Sequence, residues 1–225
     1  MAYPLENALF QWEEGYRELQ ALSDPDGFAD RQRAAAGDPA GLVESGARDG
    51  ASADPAELMG RWRDGRNALL DGLGSAGARR LPWFGPSMSP VSMATARIME
   101  TWAHGTDIAD ALSIDRAPTE RLRHVAHLGV VTRDFAYRLH GRPPPDRPFR
   151  VELEAPDGTS WAWGPDDQPP DVTGPALDFC LLVTQRRNPA DLQLTATNQA
   201  RVWLSIAQAF AGPPGAGRPP MSGSR

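Results

Sequence analysis

Two side chains four residues apart, Glu100 and His104, are the strongest candidates for chemistry in this sequence. They lie in the run from Ala94 to Leu112, which has the composition of a helix. A spacing of four places both side chains on one face of a helix, one turn apart. A carboxylate and an imidazole in that arrangement can bind one divalent metal ion, and Zn²⁺ accepts both kinds of ligand. The spacing therefore predicts a metal site with zinc, or another divalent ion, as cofactor.

The same pair also has a simpler interpretation. Glu and His four residues apart on a helix occur as a solvated pair, or with the histidine partly buried and its hydrogen bonds satisfied. A carboxylate and an imidazole become a good metal candidate only when a third ligand is present. The spacing of Glu100 and His104 alone does not decide between a metal site and such a pair.

The lone cysteine, Cys180, favours a structural role. It lies in the apolar segment 177–183, where a thiol is expected to be buried and inert, because a reactive thiol needs electropositive and accessible surroundings. A single cysteine excludes an intramolecular disulfide and fits a cytosolic location.

Four further polar residues have both a functional and a structural interpretation. His124 and His127 have the spacing of a second metal pair, but a packed or solvated helix face is the better explanation. Arg186 and Arg187 are candidates for binding a carboxylate, because guanidinium groups pair with carboxylates through two hydrogen bonds. The alternative is a solvated, positively charged helix end.

The elements that position these residues are helical in the first half of the chain. Apolar residues recur at spacings of three and four from Leu5 to Leu22, and the helix with Glu100 and His104 opens at Ser89-Pro90. Helices are predicted at 5–22, 28–36, 40–48, 55–73 and 90–112. The Gly- and Pro-rich loop 76–90 contains Trp83-Phe84, which we expect to cover the core or to line a pocket.

The second half mixes helices and strands. Three consecutive prolines end its first helix. Apolar and polar residues then alternate as in half-buried strands, and Asp157-Gly158 forms a tight turn between two of them. Helices are predicted at 119–139, 175–187 and 199–210, and strands at 149–154, 160–163 and 192–196. Trp161 and Trp163 lie on one face of a strand, where we expect them to pack on the sheet rather than to bind a ligand. The pattern predicts an α+β protein with domains at 1–113 and 117–211 and a disordered tail at 212–225.

Composition narrows the class of protein. The chain has 225 residues, 40% of them hydrophobic, so a packed core is expected. The net charge is -6, all 23 basic residues are arginine, and no basic stripe is present, which argues against a nucleic-acid partner. The N-terminus lacks the pattern of a signal peptide, and no run is long enough to span a membrane. We therefore expect a cytoplasmic protein with no membrane partner.

Several separated segments resemble one known family. The segment 99–109, Met-Glu-Thr-Trp-Ala-His-Gly-Thr-Asp-Ile-Ala, resembles the Glu-x-x-x-His helix of the mycothiol-dependent maleylpyruvate isomerase family, a group of DinB/YfiT-like metal-binding helical bundles. Segments 82–86, Met88-Ser89, 172–180 and 183–187 resemble an actinobacterial branch of that family. The resemblance extends to about Phe210.

The resemblance implies a fold and a chemistry. The first half would be a DinB-like four-helix bundle, and the second a small α/β domain similar to sterol-carrier folds. Zinc would be held by a histidine on the second helix and by Glu100 and His104 on the fourth. In the family's enzymes the metal binds or activates the thiol of mycothiol, which implies an isomerase or thiol transferase acting on a small molecule.

One ligand of the family does not match. The four histidines are at 104, 124, 127 and 140, whereas the family's first histidine would fall near residues 5–11. By this comparison the chain is expected to begin inside the second bundle helix, with the first helix absent, as in an N-terminal truncation or a degenerate member. Glu6, Glu13 or Glu14 are substitutes for the missing ligand, and Asp107 is expected to orient a ligand or to assist it.

Two other functions remain as alternatives. One is a catalytically degenerate structural bundle, in which an uncovered helix face makes a homodimer plausible. The other is a carrier of a small apolar ligand through the C-terminal domain, which rests on fold analogy alone.

Overall fold

The computed structural model describes residues 3–34, 36–83, 87–212, 215 and 217–221, and the chain divides into two compact units, Met1–Ile114 and Asp115–Arg225. Over these described ranges, the first unit is mostly helical and the second combines helices with a small sheet, which confirms the predicted α+β class. No described helix is both long and apolar enough to cross a membrane.

Proline and capping residues set where the helices of the first unit begin. The described helices are α1 (Tyr3–Ser23), α2 (Pro25–Ala34), α3 (Pro39–Ala51), α4 (Pro55–Ser75) and α5 (Pro90–Leu112). Proline suits a first helical position because its φ is already helical. The side chains of Asp38, Asp54 and Ser89 each accept a backbone N–H at the start of α3, α4 and α5. The predicted starts of α4 and α5 are thereby confirmed.

Helix α1 lies at the centre of the first unit, where it packs against α2, α3, α4 and α5. Its apolar residues Leu9 and Leu22 are buried as predicted. Tyr16, which the periodicity placed on the same apolar face, is exposed. The opposite, polar side of α1 is buried as well, with Glu18 only 1% exposed. Because neighbours surround α1, a polar layer forms inside the unit.

The loop after α4 closes a small hydrophobic core. Trp83 stacks on Phe28 with ring centroids 6.1 Å apart, and Leu81 pairs with Met88 through two backbone hydrogen bonds. The buried residues of this cluster are Ala21, Leu22, Phe28, Leu69, Leu81 and Met93. Trp83 therefore covers the core, while the rest of the predicted Trp-Phe feature, from residue 84 to 86, lies outside the described residues.

The second unit is built around a four-stranded sheet. Its strands are β1 (Val151–Glu154), β2 (Ser160–Trp163), β3 (Val172–Pro175) and β4 (Thr195–Ala196), in the order β2-β1-β3-β4. Strand β1 is antiparallel to β2 and parallel to β3, and β3 is antiparallel to β4. The predicted β1–β2 hairpin is confirmed, whereas β3 was not predicted.

The helices of the second unit are shorter than the sequence pattern predicts. They are α6 (Leu122–Val131), α7 (Arg133–Leu139), α8 (Ala176–Val183) and α9 (Asn198–Leu204), with a 3-10 turn at Pro189–Asp191. The predicted helix 119–139 divides at Thr132, whose hydroxyl donates to the carbonyl of Leu128 at 2.9 Å in competition with the helix backbone. Helix α9 ends before the predicted 210.

Helix α8 ends four residues before the predicted position. Gln185 has a positive φ of 58°, and its N–H donates to the carbonyl of Leu182. The N–H of Arg186 donates to the carbonyl of Leu181, which completes a Schellman-type end. Arg186 and Arg187 thus follow the helix rather than form its last turn. Of the predicted disordered tail, residues 213, 214, 216 and 222–225 lie outside the described residues.

A buried polar layer as the candidate functional site

The candidate site is a layer of polar side chains where α1 packs against α5. We call it the polar layer. Most of its side chains are buried, and the rest are half-buried. Its members are Gln11, Glu14, Arg17 and Glu18 from α1, and Arg97, Glu100, His104 and Asp107 from α5.

The predicted pair lies within this layer. Glu100 Oε2 is 3.4 Å from His104 Nε2, and the two side chains are 19% and 13% exposed. That distance is long for a hydrogen bond to nitrogen. It equals the spacing of about 3.4 Å between two ligand atoms on one tetrahedral zinc ion with bonds of about 2.0–2.1 Å. The pair is therefore suitably spaced for a shared ion.

Asp107 lies beside the other nitrogen of the same imidazole. Its Oδ2 is 3.4 Å from His104 Nδ1, and its side chain is 9% exposed. Histidines that bind metals usually present their second ring nitrogen to a carboxylate or carbonyl, which fixes the tautomer and the ring orientation. Asp107 is placed for that orienting role.

The described residues do not add a third ligand to this pair. Across the described ranges, no three side chains of His, Cys, Asp or Glu are grouped so that they could hold a metal ion. Of the predicted substitutes, the side chain of Glu6 lies outside the described residues. Glu13 and Glu14 contact Arg17 instead, with Glu14 Oε1 2.6 Å from Arg17 Nη2 and Glu13 Oε1 3.3 Å from Arg17 Nε. The described residues thus place two donors and an orienting carboxylate together, and they leave the ligand set of a zinc ion incomplete.

Arginine side chains provide positive charge inside the polar layer. Arg97 Nη2 donates to both the backbone oxygen and the side-chain Oε1 of Gln11, each at 2.8 Å. Its Nε lies 3.5 Å from Glu18 Oε2. The Gln11 Nε2 donates in turn to the backbone oxygen of Glu100 at 2.8 Å. These contacts join α1 to the helical turn that carries the predicted pair.

Burial changes the acid–base behaviour of the layer. Burial raises the pKa of Glu18 to about 8, with Glu14 and Glu100 adding to the effect and Arg97 opposing it. Burial also raises the pKa of Glu14, which interacts electrostatically with both Glu100 and His104. Glu18 is therefore mostly protonated at neutral pH, which reduces the negative charge that the layer must balance.

Sequence analysis did not single out four members of the layer. Gln11, Arg17, Glu18 and Arg97 are polar residues that a periodicity argument assigns to solvent. The spacing of polar residues could have identified most of this layer from the sequence. Positions 11, 14 and 18 on α1, and positions 97, 100 and 104 on α5, each form one polar stripe along their helix.

The other predicted candidates lie in the second unit. His124 and His127 are exposed on α6. Arg186 and Arg187 are half-buried, and each donates to a backbone carbonyl, at 2.6 Å and 2.7 Å respectively. Their carboxylate-binding role stays a prediction.

Cys180 and the strand tryptophans have the structural roles that were predicted. Cys180 is buried, its thiol donates to the carbonyl of Leu122 at 3.4 Å, and burial raises its pKa. An inert thiol is the consequence. Trp161 is buried in the sheet opposite Leu153, and Trp163 is half-buried opposite Val151.

Comparison with known proteins relates both units to described families. Residues 14–109 match the model of the mycothiol maleylpyruvate isomerase N-terminal domain. This matched range includes every member of the polar layer except Gln11. Residues 145–197 match a model described as wyosine base formation. No solved structure matches the chain.

Relatives in Mycobacterium tuberculosis extend the comparison over most of the chain. An uncharacterized protein of strain CDC 1551 / Oshkosh and one of strain H37Rv are each 54% identical over 202 residues, which cover 89% of this chain and 79% of the relative. Identity at this level over this length, together with the matched N-terminal domain, places the chain in the mycothiol maleylpyruvate isomerase-like family of helical, DinB-like proteins.

Proposed function

We propose that the helical unit binds a divalent metal ion, zinc by its ligand chemistry, through Glu100 and His104. The observation that supports this proposal is the 3.4 Å spacing of Glu100 Oε2 and His104 Nε2, with Asp107 beside the second imidazole nitrogen. We further propose that the chain acts on a small molecule with mycothiol as thiol cosubstrate, as an isomerase or thiol transferase. Family membership supports this second step. A cytoplasmic location and a homodimer are parts of the same proposal, made from the sequence.

The chain's own residues have distinct roles in this proposal. A metal ion supplies a positive charge that lets a bound thiol ionise near neutral pH. Glu100 and His104 bind the ion, and Asp107 holds the imidazole in one tautomer. Glu14 is the best placed substitute for the missing ligand, because it is buried on α1 and interacts electrostatically with both donors. It must leave Arg17 to serve in that way.

One observation favours a second function, a catalytically degenerate bundle. Arg17 already contacts Glu14 at 2.6 Å, and Arg97 contacts Glu18, so guanidinium groups occupy the layer as its cations. A site with two protein ligands binds zinc more weakly than the three-ligand sites of enzymes. In this case the polar layer has a structural role only.

The experiment is metal analysis of protein purified without chelator. The wild type is compared with a Glu100→Ala, His104→Ala double variant and with a His124→Ala, His127→Ala double variant as matched control. The proposal requires near-stoichiometric metal in the wild type and the control, and loss of that metal in the Glu100/His104 variant. Maleylpyruvate isomerisation with mycothiol is then assayed on the same three proteins.

Two results would contradict the proposal. Absence of metal from all three proteins would favour the structural bundle. Equal metal in all three would place the ion elsewhere. A Glu14→Gln variant that keeps its metal while the double variant loses it would exclude Glu14 alone as the third ligand.

A further inference from the structure

We propose that Gln11 is a positioning residue for the Glu100/His104 pair, acting through the backbone of α5 and oriented by Arg97. This inference deepens the proposed function and rests on it for its consequence in metal binding. Its structural content, that Gln11 sets the position of His104, stands on contacts that are independent of any metal.

The side-chain amide of Gln11 contacts the helical turn that carries both donors. Its Nε2 donates to the backbone oxygen of Glu100 at 2.8 Å, and the residue is 6% exposed. In an α-helix the carbonyl of residue 100 also accepts the N–H of residue 104. A single carbonyl is therefore shared by Gln11 and by the hydrogen bond that closes the turn from Glu100 to His104.

Arg97 determines which way the Gln11 amide faces. The amide oxygen accepts from Arg97 Nη2 at 2.8 Å, and the same Nη2 also donates to the backbone oxygen of Gln11 at 2.8 Å. A flipped amide would place its NH₂ against the guanidinium and its oxygen against the Glu100 carbonyl, with both hydrogen bonds lost. Arg97 is itself held by Glu18, whose Oε2 lies 3.5 Å from Arg97 Nε.

These contacts fix the rotation and height of one α5 turn relative to α1. Glu100 and His104 project from this turn, so a shift of α5 moves both donors with respect to every residue of α1, Glu14 included. Buried hydrogen bonds between residues far apart in sequence specify such a register more sharply than apolar contacts do, because a displaced partner leaves a polar group unsatisfied. Gln11 and Arg97 thus set the geometry of the predicted pair without being ligands.

The test compares two identical substitutions in the same helix. Gln11→Met removes both side-chain hydrogen bonds at nearly constant length. Gln20→Met is the matched control, because Gln20 also lies on α1 and its buried Oε1 accepts no hydrogen bond among the described residues. Two quantities are measured: Zn²⁺ affinity, by competition with a chromophoric chelator, and the imidazole signals of His104 in metal-free, histidine-labelled protein by NMR.

We expect Gln11→Met to weaken Zn²⁺ binding by roughly tenfold or more, the usual effect of losing a residue that supports a metal ligand. We also expect it to shift the His104 imidazole signals. Gln20→Met should leave both at wild-type values. His104 signals that stay at wild-type values in Gln11→Met would overturn the inference, even if that variant is less stable, because a merely structural residue changes stability alone.

The test distinguishes failure of this inference from failure of the proposed function, and it includes a second variant. If the wild type binds no Zn²⁺, the proposed function fails, and the His104 signals of the metal-free protein still decide the role of Gln11. If Gln11→Met does not fold, Gln11→Glu replaces it. Glutamate keeps an acceptor for Arg97 and lacks the N–H that donates to the Glu100 carbonyl, so unchanged His104 signals in that variant would also refute the role.

Discussion

Replacing Glu18 with glutamine should stabilise the helical unit at neutral pH, although it removes an ionisable group that lies beside an arginine. Glu18 is 1% exposed, and its Oε2 lies 3.5 Å from Arg97 Nε. Burial raises its pKa from 4.5 to about 8. Because glutamine resembles the protonated form, Glu18→Gln retains the neutral state that the folded protein prefers and removes the ionised state that the unfolded chain prefers.

The sign and size of the effect follow from the two pKa values. A carboxyl whose pKa is raised on folding contributes its full stability below pH 4.5, its ordinary pKa, and that stability is lost as the pH rises to about 8. Each pH unit inside this window corresponds to about 1.4 kcal/mol. At pH 7 the ionisable side chain therefore costs about 3 kcal/mol relative to glutamine. Near pH 5 the difference is below about 1 kcal/mol.

The assay is urea unfolding of the wild type and Glu18→Gln at several pH values from 5 to 8, a range chosen from the pKa window of about 4.5 to 8. Far-ultraviolet circular dichroism gives the unfolding free energies, and hydrogen exchange of α1 peptides assigns the transition to the helical unit. The two free energies should diverge as the pH rises. Parallel curves across this range would show that Glu18 ionises normally in the fold and would refute the reasoning.

The remaining predictions concern one glycine in each unit and a buried carboxylate of the second unit. Gly129→Ala should destabilise by about 1–3 kcal/mol, because a Cβ there lies 2.8 Å and 2.9 Å from the two methyl carbons of Val183. Gly65→Ala in α4, with no neighbouring atom within 4 Å, should instead stabilise by about 1 kcal/mol; chemical unfolding of both variants measures the contrast, and equal effects would refute it. Asp171→Asn should cost roughly 2–3 kcal/mol at neutral pH. Hydrogen bonds from a neighbouring guanidinium lower the pKa of Asp171, so its contribution is lost as the pH falls below 3.8 and the two free energies should converge there.

The sequence predicted the helical elements best where local signals agreed. Asp54 followed by Pro55, and Ser89 followed by Pro90, mark helix starts that the structure contains, because a capping side chain and a pre-formed φ act within one turn. Glycine at 158 with a φ of 82° likewise closes the predicted hairpin. Strand β3 escaped prediction because two of its four residues are Gly174 and Pro175, which sequence patterns assign to turns, and its pairing partners are distant in sequence.

The candidate site was predictable only in part, for a related reason. Glu100 and His104 share one helix, so their proximity follows from a spacing of four. The role of Gln11 depends on which face of α1 meets α5, a long-range property that no local pattern contains. The polar side of an amphipathic helix ordinarily faces solvent, yet the central position of α1 buries it. Tertiary packing against several helices overrides an amphipathic pattern when polar side chains on both sides can pair.

The charge balance of the polar layer bears on both of its proposed roles. Arg17 and Arg97 contact Glu14 and Glu18, but burial raises the pKa of both carboxyls, so these two carboxyls only partly offset the charge of the two guanidinium groups. The packing of α1 on α5 therefore leaves positive charge in this part of the layer. The two remaining carboxylates, Glu100 and Asp107, flank opposite nitrogens of His104 and supply negative charge that offsets the arginines. A carboxylate beside a ring nitrogen is also the arrangement that orients a metal-binding histidine, so the charge balance is compatible with both proposed roles, and metal content decides between them.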